Sequence, residues 1–256
     1  MKSLLLRALA LALCSATAGH AIAQAVPPSI AADQPTQLTA QQWREDLAFL
    51  VAEMKGRHPN LYHAVSRQQF EAAVDELNAR IPAMERDEIV VGFMRIAAMV
   101  GDGHTRVDPR KDAKFGFPSL PLKLYLFEDG LFIRAARPDY AALVGAEIIE
   151  IGGVPVAEAI RRTHAISSVD NTIGYRLFAP LYLNMPDILH ALKLSPSAQS
   201  ARLKLRKGSR TWNVTVPSGT IDPLYRTMTP NRSNASAPAR LDSKPWPFSH
   251  RGHRSR

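Results

Sequence analysis

Residues 101–105 read Gly-Asp-Gly-His-Thr and carry the residue types that proton-transfer chemistry needs. An imidazole is an effective general base near neutral pH because its ordinary pKa is about 6.5. The two glycines allow a sharp turn, and either Asp102 or Thr105 is near enough in sequence to orient the His104 ring. Because a Gly-His segment often only ends a helix, the pattern indicates a candidate base and leaves that simpler role open.

Three short amphipathic helices precede this segment and must position it. Their apolar residues recur with the helical period, and each run ends at a glycine or a proline. Ser66 and Gln69 have the spacing of a capping box at the start of the second helix. We therefore expect a small helical bundle over residues 41–106. The predicted helices cover residues 41–56, 66–82 and 85–101.

After the candidate base, the apolar pattern changes to the alternation that is typical of strands. The sequence predicts two hairpins, one strand between them and a helix, with Asp170 and Asn184 as caps of further helices. This order predicts a small α+β module over residues 107–225. The predicted elements are the hairpin 120–134, the strand 146–151, the helix 155–166 and the hairpin 203–216.

The first 23 residues have the pattern of an export signal. Lys2 and Arg7 precede a short apolar run, and Ala21-Ile22-Ala23 fits the rule for a cleavage site, so we expect cleavage after Ala23. The apolar run is too short for a permanent membrane span. The sequence therefore predicts an exported protein, periplasmic or extracellular, with a linker over residues 24–40.

Positive charge is concentrated at the C-terminal end of the chain. Residues 1–201 carry 20 Lys/Arg against 21 Asp/Glu, whereas residues 202–256 carry 12 against 2. Residues 226–256 have no sustained apolar period, so we expect a disordered basic tail. Without interleaved aromatic residues this charge does not favour a nucleic-acid partner.

Metal and cofactor sites are not predicted. The single cysteine, Cys14, lies within the predicted signal, so the mature chain has no thiolate ligand or disulfide. His58 and His63 are five residues apart and lack a zinc-binding His-Glu-x-x-His pattern. His58-Pro59-Asn60 is better explained as a turn between two helices.

The order of these segments resembles the N-terminal part of the S41 serine peptidases, the tail-specific or C-terminal-processing proteases, and more closely their tricorn-like branch. The resemblance covers roughly residues 40–225. It implies a helical bundle followed by a PDZ-like α+β module, with His104 in the role of the catalytic histidine. The matching segments are Trp43 with Asp46-Leu47, His58-Pro59-Asn60-Leu61-Tyr62, residues 101–105, Leu120-Pro121-Leu122, Asp129-Gly130, and Gly145 leading to the run 149–156.

The chain departs from this family where the nucleophile domain should begin. No Ser-x-x-Lys pair, Gly-x-Ser-x-Gly motif or strand-rich stretch follows Val216. We therefore expect a truncated peptidase that is inactive by itself. The composition of the tail leads to the hypothesis that a frameshift after about Arg226 replaced the natural continuation. The serines from Ser218 onward have no periodic scaffold to position them; the others are Ser233, Ser236, Ser243, Ser249 and Ser255.

Two other interpretations remain open at this point. The PDZ-like segment is also typical of a module that binds peptide or protein C-termini by strand addition, without catalysis. An exported α+β domain with an unrelated role is the third possibility. The sequence does not determine the substrate or the oligomeric state.

Overall fold

The structure is a computed structural model that describes residues 38–110 and 116–219, which belong to one compact unit. It contains helices and an antiparallel sheet, so the predicted α+β class is confirmed at this level. The helices are α1 (Ala40–Arg57), α2 (Arg67–Arg80), α3 (Arg86–Ala98), α4 (Val156–Thr163), α5 (Thr172–Tyr182) and α6 (Pro186–Ala191). The strands are β1 (Leu122–Leu126), β2 (Leu131–Ala136), β3 (Glu147–Ile151), β4 (Val154–Pro155), β5 (Ser200–Lys207) and β6 (Arg210–Pro217).

Helices α1 and α2 each begin at a capping box. The Ser66 hydroxyl accepts from the backbone N–H of Gln69, and the Gln69 side chain accepts from the backbone N–H of Ser66, so the predicted capping box is confirmed. Thr39 and Gln42 form the same reciprocal pair at the start of α1. The three predicted helices are present within a few residues of their expected ends.

The apolar stripes of α1, α2 and α3 pack together as a helical core. Fully buried side chains such as Leu47 and Phe70 lie at its centre. Trp43 contacts Phe93 edge to face, with 6.0 Å between ring centroids. The stripes expected from the sequence therefore face one another as predicted.

The sheet has the strand order β1-β2-β3-β5-β6, and the short β4 pairs with β3. Both predicted hairpins are confirmed: β1 pairs antiparallel with β2, and β5 with β6. Gly208 lies in the second turn with φ of +60°, a conformation that favours glycine. Leu203 and Leu205 alternate into the core, as their period-two spacing predicts.

Helix α3 contributes to both apolar clusters of the described residues. Ile89 and Ile96 pack in the helical core, whereas Val91 and Met94 pack in the sheet core with residues of the strands and of α6. The loop that follows α3 is therefore anchored on a helix held from two sides. The domain boundary predicted between residues 106 and 107 stays a prediction.

Two predicted helix caps are wrong. Asn171, not Asp170, caps α5, because its side-chain oxygen accepts from the backbone N–H groups of Ile173 and Gly174. Asn184 does not cap α6; it is buried, and its Nδ2 donates to the carbonyl oxygen of Leu122 at 2.9 Å. Asn184 therefore joins the helical segment to β1, a long-range contact that a local cap pattern cannot reveal.

The signal, most of the linker and the basic tail lie outside the described residues. The same holds for the serines beyond Ser218. Those assignments remain expectations from the sequence.

Candidate active site

The candidate base lies in a tight loop directly after α3. Gly101 has φ of +72°, where residues with a side chain are strained, and a Cβ placed on it would lie 2.7 Å from the Cβ of Ala64. Only glycine allows this approach. The loop is consequently packed against the connection between α1 and α2, which carries His58 and His63.

The Asp102 carboxylate organises this loop by accepting hydrogen bonds from three directions. The Thr105 hydroxyl donates to Oδ2 at 2.7 Å, and the His104 backbone N–H donates to Oδ1 at 2.9 Å. The His58 Nε2 lies 3.3 Å from Oδ2. These bonds, with that from Thr105 the strongest cause, lower the pKa of Asp102 from 3.8 to about 2, although partial burial opposes the shift. Asp102 is therefore an anion at any physiological pH.

The His104 ring lies beside this anion and faces solvent. Its Nδ1 is 3.5 Å from Asp102 Oδ1, and the side chain is 94% exposed. A carboxylate at Nδ1 favours the neutral ring that carries its proton there, which leaves Nε2 free to accept another. The arrangement has the orienting carboxylate and the open nitrogen that a general base requires.

The tautomer of His58 follows from its two neighbours. The Asn60 backbone N–H donates to His58 Nδ1 at 3.1 Å, so Nδ1 is an acceptor and the proton of the neutral ring lies on Nε2. His58 therefore donates to Asp102. His58-Pro59-Asn60 lies in the turn that the sequence predicts. The contact with Asp102 was not predicted, because His58 and Asp102 are 44 residues apart.

The His63 ring stacks on the His58 ring but does not contact Asp102. The two rings stack with centroids 5.9 Å apart, and His63 Nδ1 lies 2.9 Å from the carbonyl oxygen of Asn60. A carbonyl only accepts, so His63 Nδ1 donates. The backbone of Asn60 thus assigns opposite tautomers to the two histidines.

Asp170 ties the loop to the segment before α5. Its Oδ1 accepts from the Gly103 backbone N–H at 3.0 Å. The Arg106 guanidinium donates to the Gly103 carbonyl at 3.2 Å and lies over the Phe178 ring, 5.6 Å from its centroid. The candidate base is therefore held by residues from three parts of the chain.

Two groups of described residues each place three possible metal ligands within 4.8 Å of one another. They are Asp102, His104 and Asp170 at the candidate site, and Glu85, Asp87 and His190 between α3 and α6. In the first group the two carboxylates already accept hydrogen bonds from the loop, so those bonds explain its geometry without a cation. The sequence prediction that the chain has no metal site or other cofactor stays a prediction.

A second polar cluster joins α3 to α6. His190 Nδ1 lies 2.7 Å from Asp87 Oδ2, and since a carboxylate only accepts, Nδ1 is the donor. Asp187 is 8% exposed, and its Oδ2 is buried without a hydrogen-bond partner. Burial, with the nearby charge of Asp87 as a smaller cause, raises the pKa of Asp187 from 3.8 to about 6.

The described residues do not supply His104 with a serine. Within residues 38–110 and 116–219, no serine hydroxyl forms a hydrogen bond with the His104 ring, whose Nδ1 lies 3.5 Å from Asp102 Oδ1. Ser218 follows β6, where its backbone N–H donates to the Gln199 carbonyl. In this part of the chain, the site consists of a base and its orienting carboxylate.

Comparisons with known proteins leave the family undetermined. No model of a known protein family matches the chain, and no curated protein matches it either. In the described part of the chain, every helix is too short or too polar to cross a bilayer.

Proposed function

We propose that this chain is the base-bearing N-terminal part of an exported serine peptidase of the S41 type. Peptide-bond hydrolysis of this kind needs a histidine that accepts the proton of a serine hydroxyl. The single observation that carries the proposal is the His104 ring, open to solvent with Nδ1 3.5 Å from an ionised Asp102. The motif order of the sequence supports the same assignment.

In this mechanism His104 removes the proton from the nucleophile and later returns it to the leaving amine. Asp102 keeps the Nδ1 proton in place and stabilises the imidazolium that forms. The nucleophile and the groups that stabilise the oxyanion must come from outside the described residues. The chain by itself is therefore proposed to be inactive, and the reading frame after about Arg226 is proposed to have changed.

The DNA that follows codon 226 offers the first test. We expect one of the two alternative frames to encode a strand-rich domain with a serine motif. If neither frame does, the frameshift part of the proposal fails.

Hydrolysis provides the decisive test. The present chain should leave a peptide library uncleaved, whereas a version with the alternative frame restored should cleave it. In the restored protein, His104→Ala should lower kcat/KM by about 100-fold or more, the range expected for loss of a general base. His63→Ala is the matched control, since His63 is an exposed histidine without a contact to Asp102. Restored activity that survives His104→Ala contradicts the proposed role.

A second candidate function is peptide binding without catalysis by a PDZ-like module. The observation that favours it is that β1 is an edge strand of the described sheet and α5 packs against it. An edge strand beside a helix suits the addition of a peptide strand. Nuclear magnetic resonance (NMR) titration with peptides that end in a free carboxylate should shift the amide signals of β1 and α5. Absence of any shift at millimolar peptide contradicts this candidate.

A further inference from the structure

Among the groups around the candidate base, the least exposed histidine has no role in the proposed reaction. The side chain of His58 is 12% exposed, and its ring lies behind Asp102, whereas the 94% exposed His104 ring lies in front. The three groups form a continuous series, in which His58 Nε2 contacts Oδ2 and His104 Nδ1 faces Oδ1 of one carboxylate. His58 is thus placed to act on His104 without touching it.

The donor and the acceptor are defined for the hydrogen bonds at both ends of this series. The Asn60 backbone N–H can only donate, so it fixes the His58 proton on Nε2, toward Asp102. The Thr105 hydroxyl and the His104 backbone N–H bind the same carboxylate from the loop side. His58 is the donor to Asp102 that comes from outside the loop, so it sets the orientation of the carboxylate relative to the helical core.

We propose that His58 is a positioning residue for His104: its Nε2–H holds the Asp102 carboxylate so that Oδ1 faces His104 Nδ1 and Nε2 of His104 remains the proton acceptor. The proposal rests on the proposed function for its catalytic meaning, but its structural content is independent of any substrate. A tightly held orienting group matters because small displacements of a catalytic base greatly reduce its rate.

The groups that face His104 define what an experiment must separate. Asp102 and Asp170 have carboxylate oxygens within 4.8 Å of a His104 ring nitrogen, and Arg106 in the same loop donates to the Gly103 carbonyl. His58 and His63 lie on the connection between α1 and α2. The experiment must separate the orientation of the Asp102 carboxylate from the net charge around His104. Reorienting the carboxylate changes which nitrogen of His104 carries the proton, but it leaves the net charge unchanged.

The test uses the full chain, labelled with ¹⁵N, at pH 8, where an ordinary imidazole is neutral. The ¹⁵N shifts of the imidazole nitrogens report which nitrogen of His104 carries the proton. We expect the Nδ1–H form to predominate in the unaltered chain. His58→Gln should largely preserve it, because the glutamine amide reaches as far as Nε2 and donates to Asp102 in its place.

His58→Asn is the matched variant that should lose the hydrogen bond to Asp102. Its shorter amide retains an acceptor for the Asn60 backbone N–H but does not reach the Asp102 carboxylate. It should reduce the proportion of the Nδ1–H form of His104 at least threefold, as should Asp102→Asn. His63→Leu removes the stacked ring without touching Asp102 and should leave the proportion unchanged. Circular dichroism establishes that each variant is folded.

An unchanged His104 tautomer in His58→Asn overturns the proposal, whatever Asp102→Asn does. An equal loss of the Nδ1–H form in His58→Asn and His58→Gln also overturns the proposal, because a side chain that donates to Asp102 then has no effect on the His104 tautomer. No substrate enters the measurement, so failure here leaves the hydrolysis test intact. Absence of hydrolysis in the frame-restored protein likewise leaves the assignment of His58 to Asp102 intact.

Discussion

Asp102 is partly buried and Asp187 is buried, and their surroundings shift the pKa values of the two carboxyl groups in opposite directions. Asp102 accepts three hydrogen bonds, which lower its pKa to about 2. Asp187 has a buried oxygen without a donor, and its pKa rises to about 6. The difference shows that donors aimed at a carboxylate hold it as an anion, whereas burial of an oxygen without a donor favours the neutral form.

The two carboxylates also contribute differently to the chain. Asp102 joins a loop to a turn and supplies a permanent charge to the candidate base. Asp187 lies where α6 meets α3, beside the Asp87–His190 pair and with an Arg86 nitrogen 3.9 Å from its Oδ1. We therefore expect Asp102 to keep its charge near neutral pH, and the contact between α3 and α6 to weaken as pH rises.

Asp187→Asn should produce the largest change in the free energy of unfolding. The folded pKa of about 6 exceeds the unfolded value of 3.8, so the folded state holds an extra proton and loses stability as pH rises through this window. Asparagine has no proton to lose. At pH 8 the variant should be more stable than the unaltered chain by about 2–3 kcal/mol, since one pKa unit corresponds to about 1.4 kcal/mol.

Urea unfolding at several pH values measures this effect. The advantage of Asp187→Asn should shrink as pH is lowered toward 4. Asp139→Asn, at an exposed position, is the control for exchanging a carboxylate for an amide. A variant that is less stable than the unaltered chain at pH 8 contradicts the account of Asp187.

Asp102→Ala should have the next largest effect, with the opposite sign. It leaves three donors without their acceptor and should destabilise the chain by about 2 kcal/mol, the range for hydrogen bonds to a charged group. Because the folded pKa is depressed, the stabilisation is complete above pH 4 and is lost only as pH falls toward about 2.

The difference between the unaltered chain and Asp102→Ala should therefore shrink as pH falls from 4 toward 2, in the same urea experiment. Asp102→Asn is the milder control because one side-chain oxygen still accepts. A difference that does not fall between pH 4 and pH 2 means that Asp102 is not the stabilising anion described above.

Thr105→Val should have the smallest effect, about 1 kcal/mol of lost stability, because it removes one hydrogen bond of the three. Its sharper consequence is a rise in the pKa of Asp102 above 2, since the Thr105 hydroxyl is the strongest cause of the depression. NMR titration of the carboxyl carbon measures that pKa, with Thr105→Ser as the control that keeps the hydroxyl. An unchanged pKa in the valine variant refutes the assigned cause.

Local patterns predicted most of the secondary structure, because helix caps and apolar periods depend on residues a few positions apart. Ser66 and Gln69 mark the start of α2, and Leu203 and Leu205 identify the inward face of β5. The same locality explains the errors at Asp170 and Asn184. Both have the side chain of a cap, but one binds Gly103 and the other binds Leu122 across the fold.

The sequence by itself determined the α+β order of elements and singled out His104 with Asp102 and Thr105 as its candidate partners. Only the tertiary structure decided which partner faces the ring, because Thr105 bonds to Asp102 while Asp102 lies beside Nδ1 of His104. It alone revealed His58 behind Asp102 and the unpaired oxygen of Asp187. Hydrogen bonds between groups 44 residues apart depend on how the helices pack, and helix packing is set by the whole core, which no short motif encodes.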